Sequence, residues 1–305
     1  MPGPAGVVLG SHQYGKAEVR LVRITRDAAR HEIEDLNVSS QLRGAQLDES
    51  YYSGDNSLVV ATDTQKNTAY AFAKDGVGSP EEFLLRLGRH FVDGFAWIEG
   101  GIWQAEQYSW ERIPVDGVGH DHAFARTGRS TRTAVVQIEG GSTHVVAGIT
   151  DLTVLKSTGS EFHGFPRDQY TTLVETTDRI LATSVTGRWR YGADAVAVGI
   201  DWNTLYDGIT GLMLETFATV HSLALQQTLF AMGQAVIEAF DEVDEVRFSM
   251  PNKHHFLVDL SPFGLENPNE VFFAADRPYG LIEGTVQRAG AALAPAAWAT
   301  VPGFV

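Results

Sequence analysis

Two periods of apolar residues alternate along this chain. Strand material opens it. Ala17–Ile24 mixes β-branched residues with charge at Glu18, Arg20 and Arg23, and His31–Val38 follows after a polar gap. A short helical stretch is expected from about Thr64 to Ala73. A stronger helix is predicted over Ser79–Phe95: Ser79 suits the N-cap, Pro80 the first turn, and Glu82 completes a capping box. Phe83, Leu84, Leu87 and Phe91 form its apolar stripe. Trp97–Arg112 then reads as strand, turning at Gly100-Gly101.

The second half repeats the order. Thr133–Ile138 and His144–Lys156 read as strands around Gly140-Gly141, and Ser157–Tyr191 as a loop-rich insertion. Trp202, Leu205, Tyr206, Ile209, Leu212, Met213 and Phe217 mark a helix over Asp201–Val220, weakened by Gly208 and Gly211. Another is predicted over Ser222–Phe240 with Ser222 as N-cap, before strands at Val246–Leu260 and Val271–Arg288. Strands, two helices and strands thus occur twice. That order predicts an α+β fold, antiparallel sheet with helices on one side, in two units over residues 1–130 and 131–305.

Composition agrees with this division. At 305 residues the chain is long enough for two domains or a duplicated one, and 44% hydrophobic residues exclude disorder as its main state. Asp and Glu number 38 against 23 Lys and Arg, a net charge of −15, which argues against nucleic acid or an anionic membrane as partner. A small anionic substrate stays open, because a site is set by local charges. There is no cysteine, which removes disulfides, thiolate nucleophiles and zinc–thiolate sites. Met1–Gly10 has no basic segment of a secretory signal, and no run of about 18 apolar residues occurs. The uncharged stretch Ala289–Val305 is broken by Pro295 and Pro302 and reads as a tail packed on a surface. The chain does not end in Ser-Lys-Leu, so a cytoplasmic location is expected.

No phosphate loop, dinucleotide fingerprint or nucleophile elbow occurs. His120-Asp121-His122 reads either as a metal pair or as a solvated loop. The Glu that a cupin-type site wants next is replaced by Arg126 and Thr127.

Five polar clusters remain: Tyr14-Gly15-Lys16; Val59–Thr68; Ser157–Phe162, continued by Tyr170–Leu173 and Thr177-Asp178-Arg179; Ser222–Thr228; and Pro251–Phe256. In this order and at these spacings, from about Gln13 to Arg288, they resemble the urate oxidase (uricase) family. The resemblance implies two tandem tunnelling-fold units, with four chains assembling into a barrel and active sites at subunit interfaces. It implies oxidation of urate by O₂ and water to 5-hydroxyisourate and hydrogen peroxide, without metal or other cofactor.

It also implies roles. Arg179 would grip one edge of urate with its planar fork, which a lysine does not offer. Gln226 would read the opposite edge beside the backbone of Leu225, and Phe162 would stack on the purine. Lys16 and Thr62 would form a proton-transfer dyad supported by Asp63. Asn252 would hold O₂ or water with Thr62, and His254 would assist the proton relay. On a strand, Asn252, His254, Phe256 and Val258 would share one face. Simpler readings stand beside these: an Asp178–Arg179 surface pair, a capping box at Thr62-x-x-Gln65, a core histidine at 254. The rivals are a pterin-type enzyme on the same scaffold and a non-catalytic purine-binding protein.

Overall fold

The structure is a computed structural model, and it describes residues 6–126, 128, 130–275 and 277–303. Thr127 and the last two residues of the apolar tail therefore lie outside the described residues, as do the first five.

Along the chain the elements are β1 (Tyr14–Thr25), β2 (Glu32–Arg43), α1 (Asp48–Tyr52), α2 (Thr62–Lys74), α3 (Pro80–Gly94), β3 (Gly100–Gln107), β4 (Trp110–Val115), β5 (Val118–Arg126), β6 (Thr131–Glu139) and β7 (Ser142–Lys156). There follow β8 (Leu181–Tyr191), α4 (Ala193–Val198), α5 (Trp202–Thr219), α6 (Leu225–Ala239), β9 (Val243–Asn252), β10 (His255–Leu257), β11 (Phe272–Ala274) and β12 (Gly280–Gln287). This is an α+β chain with a large sheet whose β1–β2, β2–β3, β3–β6 and β9–β12 pairs are antiparallel. By packing it groups into two units. One comprises Met1–Gly148, Arg190–Thr204 and Ala292–Val305, the other Ile149–Trp189 and Leu205–Ala291.

In the first unit the strand order is β1-β2-β3-β6. Helix α3 begins where its sequence predicts, with the Ser79 hydroxyl accepting from the Glu82 N–H. It packs on β3 and β6, where Gly88 lies against Trp103 and Ile138. The alternate residues Ile102 and Val135 face the other way. There, with Val146, they are covered by Ala297 and Val301 of the chain's own tail. The tail thus completes the first unit's core, which is why β6 is buried at almost every position.

Two glycine pairs separate by context. Gly140 and Gly141 take φ of 56° and 79° and form the expected hairpin turn. Gly100-Gly101 is not a turn but the start of β3: a Cβ on either would stand 2.2 Å from a neighbouring strand's carbonyl oxygen. The turn of that region is Asp116-Gly117, which joins β4 to β5.

In the second unit β8, β9 and β12 are neighbours in that order, and α6 packs on β9 and β12. The region read as loop up to Tyr191 ends at residue 180, because Thr183, Val185, Gly187, Trp189 and Tyr191 alternate as the buried face of β8. The strand expected over Val246–Leu260 breaks after Asn252.

One buried ion pair organises the first unit. The Arg132 guanidinium meets the Glu81 carboxylate at 2.7 Å, and the side chains are 8% and 0% exposed. Arg132 also donates to Asn203 Oδ1 and, more weakly, to the Trp202 carbonyl. Arg132→Met would leave a buried carboxylate without its cation. Denaturant unfolding is expected to register a loss of about 3–5 kcal/mol.

Candidate active site

A cavity of about 190 Å³ opens in the second unit, lined by Phe162, Leu173, Arg179, Leu225, Gln226, Asn252, His254 and Ile282. Six of these are residues singled out from the sequence. Leu173 closes one of the sequence clusters but carries no expected role, and Ile282 is not singled out.

Three local structures deliver them. The first is the extended segment Ser160–Phe162, which bridges to Ser222 on one side and to Thr176 on the other. Phe162 exchanges both backbone hydrogen bonds with Thr176, at 2.8 and 3.0 Å. Its ring is backed by Phe165, stacked at 5.1 Å. Residues two apart on an extended segment share a face, so Ser160 and Phe162 both meet Arg179. The Arg179 Cζ lies 5.1 Å from the Phe162 ring centroid, and its Nε donates to Ser160 Oγ at 3.3 Å.

The Asp178–Arg179 surface pair is not formed. Asp178 accepts from the Thr158 hydroxyl, and Arg179 has no ion pair among the described residues. Burial lowers the Arg179 pKa from its usual value.

The second is the start of α6. Ser222 is not its N-cap; Ala224 is, with no side-chain cap bond. Among the described residues the first-turn N–H groups of Leu225 and Gln226 have no partner, and a helix N-terminus carries partial positive charge there. The Leu225 side chain is buried, at 2% exposure, and Gln226 is exposed.

The third is the end of β9. Val246, Phe248 and Met250 fill the core on one strand face, and Asn252 extends that row. Asn252 is paired with Gly280 of β12, and Ile282 with Met250. The Lys253 N–H then donates to the Ala182 carbonyl, and the chain turns into β10. Both Asn252 and His254 nevertheless reach the cavity. Phe256 does not turn inward; it is half-exposed and stacks on His254 at 5.8 Å. The His254 pKa is lowered, first by burial and then by the Arg179 charge, with His255 adding to it.

Lys16, Thr62 and Asp63 belong to the first unit. Gly15 precedes Lys16 because a Cβ there would lie 1.8 Å from the Ser40 carbonyl oxygen. A bulge follows Lys16, with Glu18 at φ 57°. The Tyr14 hydroxyl donates to the Val60 carbonyl, tying this strand to the segment before Thr62. Thr62 opens α2 without the expected capping box. Ala61 is the N-cap, and Gln65 accepts from the Ser40 hydroxyl at 2.7 Å. Among the described residues the Thr62 hydroxyl has no partner. Asp63 bonds Lys66 and Asn67, and its pKa is lowered chiefly by Lys66 and also by the charge of Lys16.

His120 and His122 stand on β5, and Asp121 pairs with Arg30. Among the described residues no group of three His, Cys, Asp or Glu is placed to hold a metal ion. No helix among them is long and apolar enough to cross a membrane.

Fold and site together define an α+β protein whose small cavity is lined by a partly buried arginine lying against an aromatic ring. Its relatives narrow this. Residues 12–137 and 145–283 match the Uricase family. The uricase of Arthrobacter globiformis is 61% identical over 298 residues, 98% of this chain and 96% of that one. The uricase of Dictyostelium discoideum is 39% identical over 280 residues, 91% and 96% of the two chains. The crystal structure of the Arthrobacter globiformis uricase superposes with a TM-score of 0.90, covering 96% of this chain and 99% of that one. The chain belongs to the uricase family.

The coupling of His254 to Arg179 is testable. In a histidine NMR titration, His254 is expected to titrate below the ordinary value of about 6.5, and Arg179→Gln to move its midpoint upward. Because the folded pKa is depressed, the unfolded chain takes up this proton first. His254 therefore subtracts stability as pH falls through about 6.5.

Proposed function

We propose that this chain is a urate oxidase, an oxidoreductase of purine degradation that converts urate, O₂ and water to 5-hydroxyisourate and hydrogen peroxide. The observation that carries the reading is a half-buried guanidinium that has no counter-ion among the described residues and lies against an aromatic ring inside a small cavity. A planar purine anion supplies the missing charge and a face for the ring.

Arg179 binds one edge of urate through two parallel hydrogen bonds. Gln226 both donates to and accepts from the opposite edge, and the free N–H groups of the α6 start favour negative charge beside it. Phe162 stacks on the ring and fixes its plane. Urate, doubly deprotonated, is the electron donor, and O₂ leaves as hydrogen peroxide. The oxygen added at carbon 5 comes from water. Asn252 and Thr62 hold O₂ or water above the purine. Lys16, Thr62 and His254 carry protons, with Asp63 supporting Lys16. The unspent hydroxyl of Thr62 and the charge of Lys16 felt at Asp63 favour these assignments. Orientation and exclusion of bulk water do the rest.

In this reading residues 1–130 and 131–305 are two tandem tunnelling-fold units. Four chains close into a barrel, and Lys16, Thr62 and Asp63 complete the cavity of a neighbouring subunit. The protein works in the cytoplasm, with urate and O₂ as its small-molecule partners and neither nucleic acid nor membrane.

Purified protein with urate, followed by urate absorbance beside an oxygen electrode, is expected to consume both in equal amounts, unaffected by a chelator. Urate that binds without oxygen uptake would overturn the oxidase. Lys16→Met and Thr62→Ala should reduce kcat far more than affinity; turnover within a few-fold of the parent in both would remove the dyad. Arg179→Ala should cost about 2–5 kcal/mol of urate binding, the range for truncating one partner of a buried charged hydrogen bond. Anaerobic calorimetry measures it.

A further inference from the structure

Beyond the residues assigned to urate, the hydrogen bond from Arg179 has a partner that is itself locked in place. Ser160 is fully buried. Its backbone carbonyl accepts from the Arg179 N–H at 2.9 Å, and its hydroxyl accepts from Arg179 Nε at 3.3 Å. One residue thus holds both the backbone and the root of the guanidinium.

Ser160 is held in turn. Gly159 accepts from the Ser222 N–H at 2.9 Å, and the Glu161 N–H donates to the Ser222 carbonyl at 2.8 Å. Ser222 is also fully buried. Its hydroxyl donates to the Ala224 carbonyl and accepts from the Thr228 hydroxyl at 2.8 Å. Thr228 lies in the first turn of α6, two residues after Gln226. On the opposite face of the same segment, the Glu161 carboxylate is bonded by His221 and His163. The two groups that would read opposite edges of the substrate are therefore joined through Ser160, Ser222 and Thr228.

We propose that Ser160 is a positioning residue for substrate binding. By taking the Nε–H it fixes the guanidinium plane, so that both terminal nitrogens of Arg179 stay free for the anion, at a set distance from Gln226. A guanidinium has five N–H donors. Engaging the one at Nε leaves the pair that makes the parallel fork. Without it the side chain rotates about its last torsions, and the fork no longer matches a fixed edge. The role rests on the urate reading for its substrate, but the geometry it describes exists without one.

The test is Ser160→Ala, with two readouts that a merely structural role would not move together. KM for urate is expected to rise about tenfold, the scale of one hydrogen bond to a charged group, with kcat within about threefold by the same reckoning. The His254 midpoint is expected to rise as the guanidinium leaves its side. A folded variant with KM and the His254 midpoint both unchanged overturns the proposal. Should Ser160→Ala not fold, the unsubstituted protein decides. In a ¹⁵N-arginine spectrum the Arg179 Nε–H is expected to be shifted and slow to exchange. Exchange as fast as that of a solvated arginine overturns the proposal. If the protein takes no urate at all, the urate reading falls. The Nε exchange and the His254 midpoint then judge Ser160 independently.

Discussion

A guanidinium drawn halfway out of water, with no carboxylate among the described residues to answer it, is the constraint on which the second unit depends. Burying a cation costs free energy unless charge or hydrogen bonds compensate. Arg179 has one long bond to Ser160, the face of Phe162, and no ion pair among the described residues. Its own neighbour Asp178 is turned away and occupied by Thr158. A carboxylate paired to Arg179 would settle the charge and close the site to anions. Among the described residues that place is unfilled, and in the proposed reading a substrate anion takes it. Burial first, and the Arg179 charge after it, lower the His254 pKa, so the imidazole stays neutral to lower pH than a free one.

The fold supplies this cation with surroundings it could not obtain from a loop alone. A row of core residues along β9 ends in Asn252, so the amide inherits its direction from Phe248 and Met250. The helix packed on that strand begins at Leu225 without a side-chain cap, leaving its N–H groups for the cavity. The Ser160–Phe162 segment is pinned from both sides, by Ser222 and by Thr176. Strand end, helix start and pinned segment each fix one wall, and pre-organisation of this kind lowers the entropy cost of binding.

Where short-range physics decides, the chain is readable from its sequence. Ser79 caps α3 because the cap lies three residues from its donor, and Gly140-Gly141 turns because both glycines take left-handed angles. Where distant segments decide, the same signals mislead. Gly100-Gly101 is the same dipeptide as the turn, yet it is glycine because Gln41 and Ile138 approach too closely for a Cβ. Ser222 resembles an N-cap, but pairing with Ser160, far away in the chain, claims it. Gln65 could complete a box with Thr62 and instead bonds Ser40. The polar residues of the site stood out because ordinary packing does not ask for them. Ile282 and Phe165 did not, since neither sits in a polar cluster that would mark it as part of a cavity wall. The tail gave no partner in the sequence either; it covers β3 and β6 because Ile102 and Val135 need a lid on their second face.

In the proposed reading the second-unit cavity receives a purine anion on the Arg179 fork. The most direct measurement is a crystal structure of the protein with urate, grown and kept without oxygen. The purine is expected stacked on Phe162, with two parallel hydrogen bonds from Arg179 on one edge and Gln226 on the other. Urate seated elsewhere, with Arg179 still facing an empty cavity, would contradict it.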